Sequence, residues 1–145
     1  MTTVLALTNS RDGRNSTVVV EEIERLGHDV VRMDLDLVSR GEHKLSIDWS
    51  AHDGPSVRLR TEEAEHDLRT IGSVWFRRPY EFDFGIEDPV QRAAAEKEFR
   101  SILLGLWEIL RGKWWVSKAS SVARGHLKLH QLALARIAGV RRQLR

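Results

Sequence analysis

The apolar pattern over the first 35 positions predicts a strand, a helix and a second strand. The apolar run Thr3–Leu7 ends in polar turn residues, which is typical of a buried strand. From Val19, apolar residues recur at spacings of four and three, with glutamates between them and Gly27 as a stop, so this segment is predicted to be an amphipathic helix. Asp29–Leu35 predicts the next strand. This order is the βαβ unit, which has parallel strands and a right-handed crossover.

A different pattern follows, with strict alternation of apolar and polar residues. Leu45, Ile47 and Trp49 alternate with polar residues, and the same pattern returns at 57–60 after the turn signal Asp53-Gly54-Pro55. Alternation around such a turn predicts a β-hairpin with one face in water, which we expect at the edge of the sheet. A further apolar run at 71–76 predicts a buried strand that leads into a loop.

The longest helix is predicted after Asp88. Asp88 suits the N-cap and Pro89 the first helical position, and Gly112 is the expected stop. Its apolar stripe predicts one broad buried face, made of Phe99, Ile102, Leu103, Leu106, Trp107 and Leu110.

The last elements are a short strand and a terminal helix. The run at 114–116 predicts the strand, in which Trp114 and Trp115 point to opposite sides. A helix is expected to open at Ser120 or Ser121 and to reach about Ala138, before Gly139. Together the elements predict one α/β domain with a small, mostly parallel sheet, an added β-hairpin and flanking helices, a Rossmann-like arrangement.

Composition narrows the class of protein. The chain has 145 residues, enough for one domain, and 41% of them are hydrophobic. It has no cysteine, which excludes disulfides, thiolate metal sites and a cysteine nucleophile. No apolar stretch is long enough to predict a membrane span, and the first residues do not resemble a secretory signal, so we expect a cytoplasmic protein.

Charge divides the chain into two parts. Nine of the 23 basic residues and none of the 21 acidic residues follow Glu108, which gives that segment a charge of +9 and residues 1–108 a charge of −7. A basic end can bind nucleic acid, a phosphate ligand or an acidic partner. It can equally be a solvated helix face, because the basic residues are scattered along the segment and do not form one cluster.

The first candidate site is the polar loop after the first strand, with Asn9, Ser10 and Asp12 as its chemical groups. Ligands of open α/β sheets bind beyond the carboxyl ends of the strands, near helix N-termini. The loop has one glycine and neither of the common phosphate-binding patterns. The alternative is a turn that caps the first helix through Asp12 or Ser16, and we favour it for most of these residues.

The second candidate is the pair Arg77 and Arg78, followed by Pro79, at the end of a predicted strand. Two guanidinium groups at such an edge could clamp a carboxylate or a phosphate. The alternative is that they form ion pairs with acidic residues close in sequence, namely Glu81, Asp83 or Glu87.

Other candidates are weaker. His126 and His130 have the spacing that places two imidazoles on one helix face, but no third metal ligand is evident, so a metal site is not predicted. Tryptophans and basic residues are neighbours at 107–118, and this combination can bind single-stranded nucleic acid. We prefer the interpretation that the tryptophans pack in the core.

Five signatures occur in an order that resembles a known family. They are V-L-A-L-T-N-S-R-D-G at the start, G-H-D-V-V-R-M-D-L-D after the first helix, S-V-W-F-R-R-P at 73–79, W-W-V-S at 114–117 and K-L-H-Q-L-A-L-A-R-I-A-G at 128–139. The chain is similar to the N-terminal pre-ATP-grasp domain of the ATP-grasp ribosomal peptide maturases, which make microviridins and related graspetides. V-W-F-R-R-P is the most specific of these motifs.

The resemblance implies a function. Enzymes of this family use ATP and Mg²⁺ to phosphorylate a carboxylate of a precursor peptide, and a hydroxyl or amine of that peptide then attacks the acyl phosphate to give an ester or amide ring. The pre-ATP-grasp domain helps to form the substrate side of the cleft, where Asn9, Ser10, Asp12, Arg77 and Arg78 are the candidates. The resemblance also assigns Lys128 to an ATP phosphate in a complete enzyme.

Several expectations depend on how much of such an enzyme is present. We expect a pre-ATP-grasp domain at 1–139 and a truncated basic tail at 140–145, without the ATP-grasp lobes. No ligase activity and no cofactor are therefore expected for this chain alone. Its expected partners are the ATP-grasp lobes or a partner chain, and a precursor peptide. A homodimer is also expected to be possible, because apolar area could stay exposed at Trp115, Leu127, Leu132 and Leu134.

Two other functions stay open. One is a small-molecule or phosphate-binding α/β module that needs no further lobes. The other is a nucleic-acid-binding protein that uses the basic end, which is the less favoured of the two.

Overall fold

A computed structural model describes residues 2–52, 54–77 and 81–138. The described chain contains seven strands and five helices, with 3-10 turns at Ser10–Asp12 and Leu68–Thr70. In chain order they are β1 (Thr3–Thr8), α1 (Arg14–Arg25), β2 (Asp29–Asp34), α2 (Leu35–Arg40), β3 (Lys44–Ser50), β4 (Gly54–Arg60), β5 (Glu65–Asp67), β6 (Ser73–Phe76), α3 (Pro89–Ile109), β7 (Trp114–Val116), α4 (Ala119–Gly125) and α5 (Lys128–Ile137).

Four strands form a parallel sheet in the order β2-β1-β6-β7. Leu5 of β1 lies opposite Val31 of β2 and Val74 of β6, and Val74 lies opposite Trp115 of β7. The predicted βαβ unit is confirmed, as is the mostly parallel sheet with flanking helices. β2 lies on one side of β1 and β6 lies on the other, so the strand order switches sides at β1.

The hairpin is confirmed but belongs to a separate sheet. β3 and β4 pair antiparallel, with Ile47 opposite Val57, and β5 adds a third strand beside β4. The prediction that the hairpin lies at the edge of the parallel sheet is therefore wrong. Val57 and Leu59 are fully buried in the common core, whereas Trp49 of β3 is exposed, so the small sheet packs one side against the body of the protein.

The core lies on one face of the parallel sheet. Apolar residues of β1, β2 and β6 meet β4 and α3 there, with Leu5, Leu7, Met33, Val57, Leu59, Val74 and Leu106 all fully buried. Trp115 joins this core through a tilted contact to Phe76 and an edge-on contact to Trp107, and it donates its indole N–H to the Leu110 carbonyl at 2.9 Å. Trp115 is therefore not part of an exposed apolar surface, which corrects the sequence-based expectation.

Helix α3 begins as predicted. Asp88 Oδ1 accepts from the backbone N–H groups of Val90 at 2.9 Å and Gln91 at 2.8 Å, and Pro89 occupies the first turn. The predicted stripe is buried at Leu103, Leu106 and Leu110, but Ile102 is about half exposed, so the buried face is narrower than expected. The helix ends three residues before Gly112.

The predicted terminal helix is two helices. α4 ends at Gly125 and α5 begins at Lys128, so the helical structure is interrupted at His126 and Leu127. Leu127 has the extended backbone of an N-cap, with φ −74° and ψ 110°. His126 therefore lies at the end of α4 and His130 within α5, and the expectation that they share one helix face is wrong. Gly139 lies outside the described residues, and so does the predicted tail at 140–145.

None of the helices that the structure describes is both long and apolar enough to cross a lipid bilayer.

Candidate functional site

The carboxyl ends of β1, β2 and β6 bring the candidate loops together. Parallel strands end at the same edge of a sheet, so the residues after Thr8, Asp34 and Phe76 are neighbours in space although far apart in sequence. Arg77 continues this register, since its N–H donates to the Leu7 carbonyl at 2.8 Å. The predicted sites after β1 and β6 are thereby placed at one edge.

Asn9 is the fixed point of the loop after β1. It is 3% exposed, and its side-chain oxygen accepts from the Arg11 N–H at 3.0 Å while its amide nitrogen donates to the Glu81 carbonyl at 2.8 Å. The first bond caps the 3-10 turn at Ser10–Asp12, and the second ties it to the segment after β6. With these bonds in place, Asn9 organises the loop.

The loop does not cap α1 in the expected way. The N-cap of α1 is Gly13, which makes no side-chain cap bond and has a φ of 58°. Ser16 instead donates its hydroxyl to the Gly13 carbonyl at 3.2 Å, and Asp12 turns away toward the next loop. The capping function predicted for Asp12 or Ser16 is therefore wrong, because glycine supplies the positive φ that this entry into the helix requires.

A buried carboxylate anchors Ser10. Asp36, in the first turn of α2, is 2% exposed and accepts from the Ser10 N–H at 2.9 Å and from the Ser10 hydroxyl. Arg40, one turn later, lies 3.4 Å from the same carboxylate and 3.9 Å from Asp83. Arg11 also reaches Asp83, at 3.6 Å, so the segment after β6 is held by charges from both sides.

A second buried carboxylate lies at the end of β2. Asp34 is 5% exposed and accepts from the Thr8 hydroxyl at 2.9 Å, and the Arg32 guanidinium lies 2.9 Å from its other oxygen. Arg32 also donates to the Asn9 carbonyl at 3.3 Å. The loop after β1 is thus positioned by two Asp–Arg pairs, one on each side.

Arg77 forms an ion pair with Asp12, its Nε lying 3.3 Å from a carboxylate oxygen. The predicted alternative partners Glu81, Asp83 and Glu87 are close in sequence, but the partner in the structure is 65 residues away. This pair joins the two candidate loops. Arg78 and Pro79 lie outside the described residues, so the second half of the predicted arginine clamp has no described position.

Beside this pair an open crevice of about 810 Å³ lies between α1, the ends of β6 and β7, and α4. Arg77 supplies a guanidinium group to it, and the other polar groups come from an amide, a carboxylate, a hydroxyl and an imidazole. Its lining is Asn15, Val19, Trp75, Phe76, Arg77, Glu81, Ser117, Val122 and His126. An open space whose described lining offers one guanidinium group and mixed hydrogen-bonding groups suits an extended polar ligand that carries a carboxylate or phosphate.

Ser117 borders the crevice in a strained conformation. It follows β7 with a φ of 62°, and it is the one residue other than glycine with positive φ in the described part of the chain. The left-handed region costs an ordinary residue about 1–2 kcal/mol. Such strain is most often retained where a turn must present backbone groups to a site.

The candidate residues form two groups in space. Asn9, Ser10, Asp12 and Arg77 belong to one connected network, whereas Lys128 is the exposed first residue of α5. Lys128 does open a helix, as the resemblance implies. Among the described residues, no hydrogen bond or ion pair joins Lys128 to the loop network.

Sequence reasoning missed the residues that hold the network. The sequence pattern places Asp34 in a strand that ends at Leu35, and it does not single out Asp36, Arg32, Arg40 or Asn15. The usable signal was the acidic pair directly after a buried run, because the carboxyl end of a strand beside β1 must lie next to the loop at Asn9.

The described residues offer no group of three or more histidine or acidic side chains arranged to hold a metal ion.

Comparison with known proteins identifies the family. A model described as the MvdD pre-ATP grasp domain matches residues 3–123. Comparison with curated proteins gives no match.

Three solved structures match the fold of this chain over almost its whole length. The macrocyclase MdnB from Microcystis aeruginosa is 29% identical with a TM-score of 0.84, over 96% of this chain and 45% of its own. A RiPP-associated ATP-grasp ligase from Chryseobacterium gregarium, solved with ADP and a leader and core peptide, is 30% identical with a TM-score of 0.83, over 96% of this chain and 42% of its own.

A third structure is macrocyclase MdnC from Microcystis aeruginosa bound with the precursor peptide MdnA. It is 26% identical with a TM-score of 0.82, over 94% of this chain and 44% of its own. The present chain thus spans less than half the length of each of these structures. Since the family model covers residues 3–123, well over half of the chain, the protein belongs to the MvdD pre-ATP grasp domain family.

Proposed function

We propose that this chain is the peptide-holding part of an ATP-dependent ligase that forms ester or amide bonds in a ribosomal precursor peptide. The observation that carries the proposal is the match over nearly the whole chain to one part of two macrocyclases and a peptide ligase, at 26–30% identity. Two of these relatives, MdnC and the Chryseobacterium gregarium ligase, are described with a precursor peptide or with a leader and core peptide, and the proposal extends peptide binding to this chain.

In this proposal the crevice beside Arg77 receives the acidic region of the precursor. The reaction joins a peptide carboxylate to a hydroxyl or amine, and a guanidinium group is suited to hold a neighbouring carboxylate in place. Arg77 is itself held by Asp12, and Asn9 and Asp36 fix the loop on which Asp12 lies. The chain's own residues therefore bind and orient the peptide.

ATP and Mg²⁺ belong to the complete enzyme in this proposal. ATP activates the carboxylate as an acyl phosphate and leaves as ADP, and attack by the peptide's own nucleophile then releases phosphate. Lys128 is the residue of this chain that we assign to an ATP phosphate, because a flexible ammonium group at the start of an exposed helix can reach a ligand on a neighbouring lobe. No magnesium ligand is assigned here.

A chimaeric enzyme tests the proposal. This chain replaces the matching part of the Chryseobacterium gregarium ligase, and the product peptide is weighed by mass spectrometry after incubation with ATP and Mg²⁺. The expected result is the loss of one water from the core peptide for each bond formed. A folded, ATP-binding chimaera that leaves its peptide unchanged would contradict the proposal.

Lys128 has a separate readout in the same chimaera. We expect Lys128→Ala to raise the KM for ATP about tenfold, the loss of one charge-assisted phosphate contact, without changing the KM for the peptide. Arg136→Ala, in the last turn of the same exposed helix, is the matched control and is expected to change neither value. Equal effects of the two substitutions would remove Lys128 from the nucleotide site.

A further inference from the structure

The small antiparallel sheet ends in a strand that has a partner on one side only. Among the described residues the strand order is β3-β4-β5, so β3 is an outer strand. Its register with β4 is unbroken over seven pairs, from Lys44 opposite Arg60 to Ser50 opposite Gly54. Alternate residues of an outer strand direct their backbone N–H and C=O groups away from the sheet. β3 therefore offers a row of outward hydrogen-bonding groups.

The other edge of this sheet is protected, whereas β3 is not. Natural edge strands are kept from pairing by shortness, charge, proline or a bulge. β5 has three residues, and its Glu65 and Asp67 form ion pairs with arginines. β3 has seven residues, no proline and no bulge in its pairing with β4. β3 is therefore the edge that a further strand can extend.

The inner face of β3 is apolar and is left uncovered at Ile47 and Trp49. Leu45, Ile47 and Trp49 lie on one face, because side chains alternate along a strand, and Val57 and Leu59 of β4 share that face. Val57 and Leu59 are fully buried, but Ile47 is 42% exposed and Trp49 is 78% exposed. The apolar face of the sheet thus continues beyond the body of the protein. A fourth strand beside β3 would bring side chains against its exposed part.

The opposite face of β3 specifies the charges of such a strand. Lys44 and Asp48 lie on this face, four residues apart, and the described residues offer neither of them an ion pair. In an antiparallel partner, the residue opposite Asp48 comes four positions before the residue opposite Lys44. Opposite charges across a strand pair are favourable. The complementary strand therefore carries a basic residue four positions before an acidic one, with apolar residues opposite Trp49, Ile47 and Leu45.

A second copy of β3 fits this pattern less well. It also has a basic residue four positions before an acidic one, but the antiparallel pairing that matches these charges is centred on Ser46 and sets His43 opposite Trp49. His43 lies in the turn after α2, where its N–H donates to the Leu37 carbonyl and its Nδ1 is buried. The most exposed apolar side chain of the strand would then have no apolar neighbour. A strand from a different polypeptide can meet the whole pattern.

We propose that β3 is a docking edge for an extended segment of another polypeptide, which adds to it as a fourth, antiparallel strand. The segment has apolar residues at alternate positions and a basic residue four positions before an acidic one. In strand addition, main-chain hydrogen bonds supply affinity and the alternating side chains supply specificity. The inference concerns a surface outside the lining of the crevice beside Arg77 and does not depend on the proposed function.

Fluorescence anisotropy of a labelled synthetic peptide, Thr-Val-Lys-Val-Thr-Val-Glu, tests the proposal with the full chain. Reversible, saturable binding is expected. The charge-reversed peptide Thr-Val-Glu-Val-Thr-Val-Lys is expected to bind about tenfold more weakly, because like charges then face each other across the strands. The first peptide with every backbone nitrogen methylated is expected not to bind, because it has no main-chain donors.

Matched variants separate this edge from the rest of the surface. Trp49→Ser is expected to weaken binding about tenfold through the loss of aromatic contact area. Trp114→Ser is the control, because Trp114 is also well exposed, at 68%, and lies on β7 of the other sheet. It is expected to leave binding unchanged. The double variant Lys44→Glu, Asp48→Lys is expected to exchange the preference for the two peptides, a result that misfolding cannot produce.

Several results would overturn the proposal. They are the absence of binding by the wild-type chain, equal binding of the two charge patterns, binding that survives methylation, and equal effects of the two tryptophan substitutions. Self-association of the chain that Trp49→Ser abolishes in sedimentation velocity would also overturn it, because the edge would then belong to a second copy.

Discussion

The carboxylate of Asp36 is 2% exposed and receives the Ser10 amide, the Ser10 hydroxyl and the Arg40 guanidinium. Removing it takes the carboxylate away from the Ser10 amide and hydroxyl, whereas Arg40 keeps its contacts to Glu42 and Asp83. We therefore expect Asp36→Ala to lower the free energy of unfolding by about 2–3 kcal/mol in chemical denaturation.

Glu42→Ala is the matched control for Asp36. Glu42 contacts the same arginine at 3.3 Å, but its side chain is 50% exposed, and exposed ion pairs contribute little. Its removal is expected to cost less than about 0.5 kcal/mol. Equal losses from the two substitutions would contradict the assignment of Asp36 as the anchor of the loop.

Ser117 gives a prediction of opposite sign. Its φ of 62° is unfavourable for any residue with a Cβ, so Ser117→Gly is expected to raise the free energy of unfolding by about 1 kcal/mol. Ser117→Ala keeps the Cβ and is expected to give no gain. Thermal unfolding of the two variants decides the point, and stabilisation by alanine equal to that by glycine would show that the strain is absent.

At the scale of elements, α5 is the least supported helix. It spans ten residues, and its main packing partner is α4. Leu129 and Ile137 are each 82% exposed. A helix this short has little stability without tertiary contacts. We expect its amides to exchange with deuterium at least tenfold faster than those of the middle of α3. Equal protection would contradict this.

The edge strand β5 is expected to be sensitive to acid. The hydrogen bond from Arg69 holds the pKa of Asp67 below its usual range, and Arg60 does the same for the pKa of Glu65. Both carboxyls bind protons more readily in the unfolded chain. Their stabilising effect is therefore present above the ordinary carboxyl pKa values and is lost as pH falls through the lowered ones.

Denaturant unfolding between about pH 5 and pH 2 measures this effect. Wild-type stability is expected to decline with acid more steeply than that of the Asp67→Asn, Glu65→Gln double variant. Parallel pH profiles for the two proteins would show that these pairs contribute nothing to the pH dependence.

Local sequence signals predicted the elements that depend on local chemistry. The cap at Asp88 and Pro89 and the βαβ pattern needed no knowledge of the rest of the chain. The break between α4 and α5 was missed because His126 and Leu127 are compatible with a continuous helix. α2 was missed because its six residues directly continue an apolar strand pattern.

The candidate site was predictable only in part. Asn9, Ser10, Asp12 and Arg77 could be proposed because they follow apolar strands. Their partners could not, since the Arg77–Asp12 pair and the Ser10–Asp36 bonds depend on strand order, which places segments 26 to 65 residues apart side by side. The separate hairpin sheet depends in the same way on packing.

For the whole molecule, the structure presents two adjoining surfaces that share Val19 and Trp75. The carboxyl edge carries the charged loop network and the crevice, and the amino edge carries an apolar groove lined by α1, β6 and β7. Together with the family match, the charged loop network supports the proposal that this domain holds a peptide while other lobes supply the nucleotide chemistry.

The apparent KM of the chimaeric ligase for its precursor peptide tests the central claim most directly. Asn15 borders the crevice, and its replacement by alanine is the test variant. Glu62→Gln, in the turn between β4 and β5 and outside the crevice lining, is the control. We predict that Asn15→Ala raises the KM for the peptide severalfold and leaves the KM for ATP unchanged, while Glu62→Gln changes neither. A peptide KM that is the same in both variants as in the parent chimaera would contradict the claim that this crevice holds the peptide.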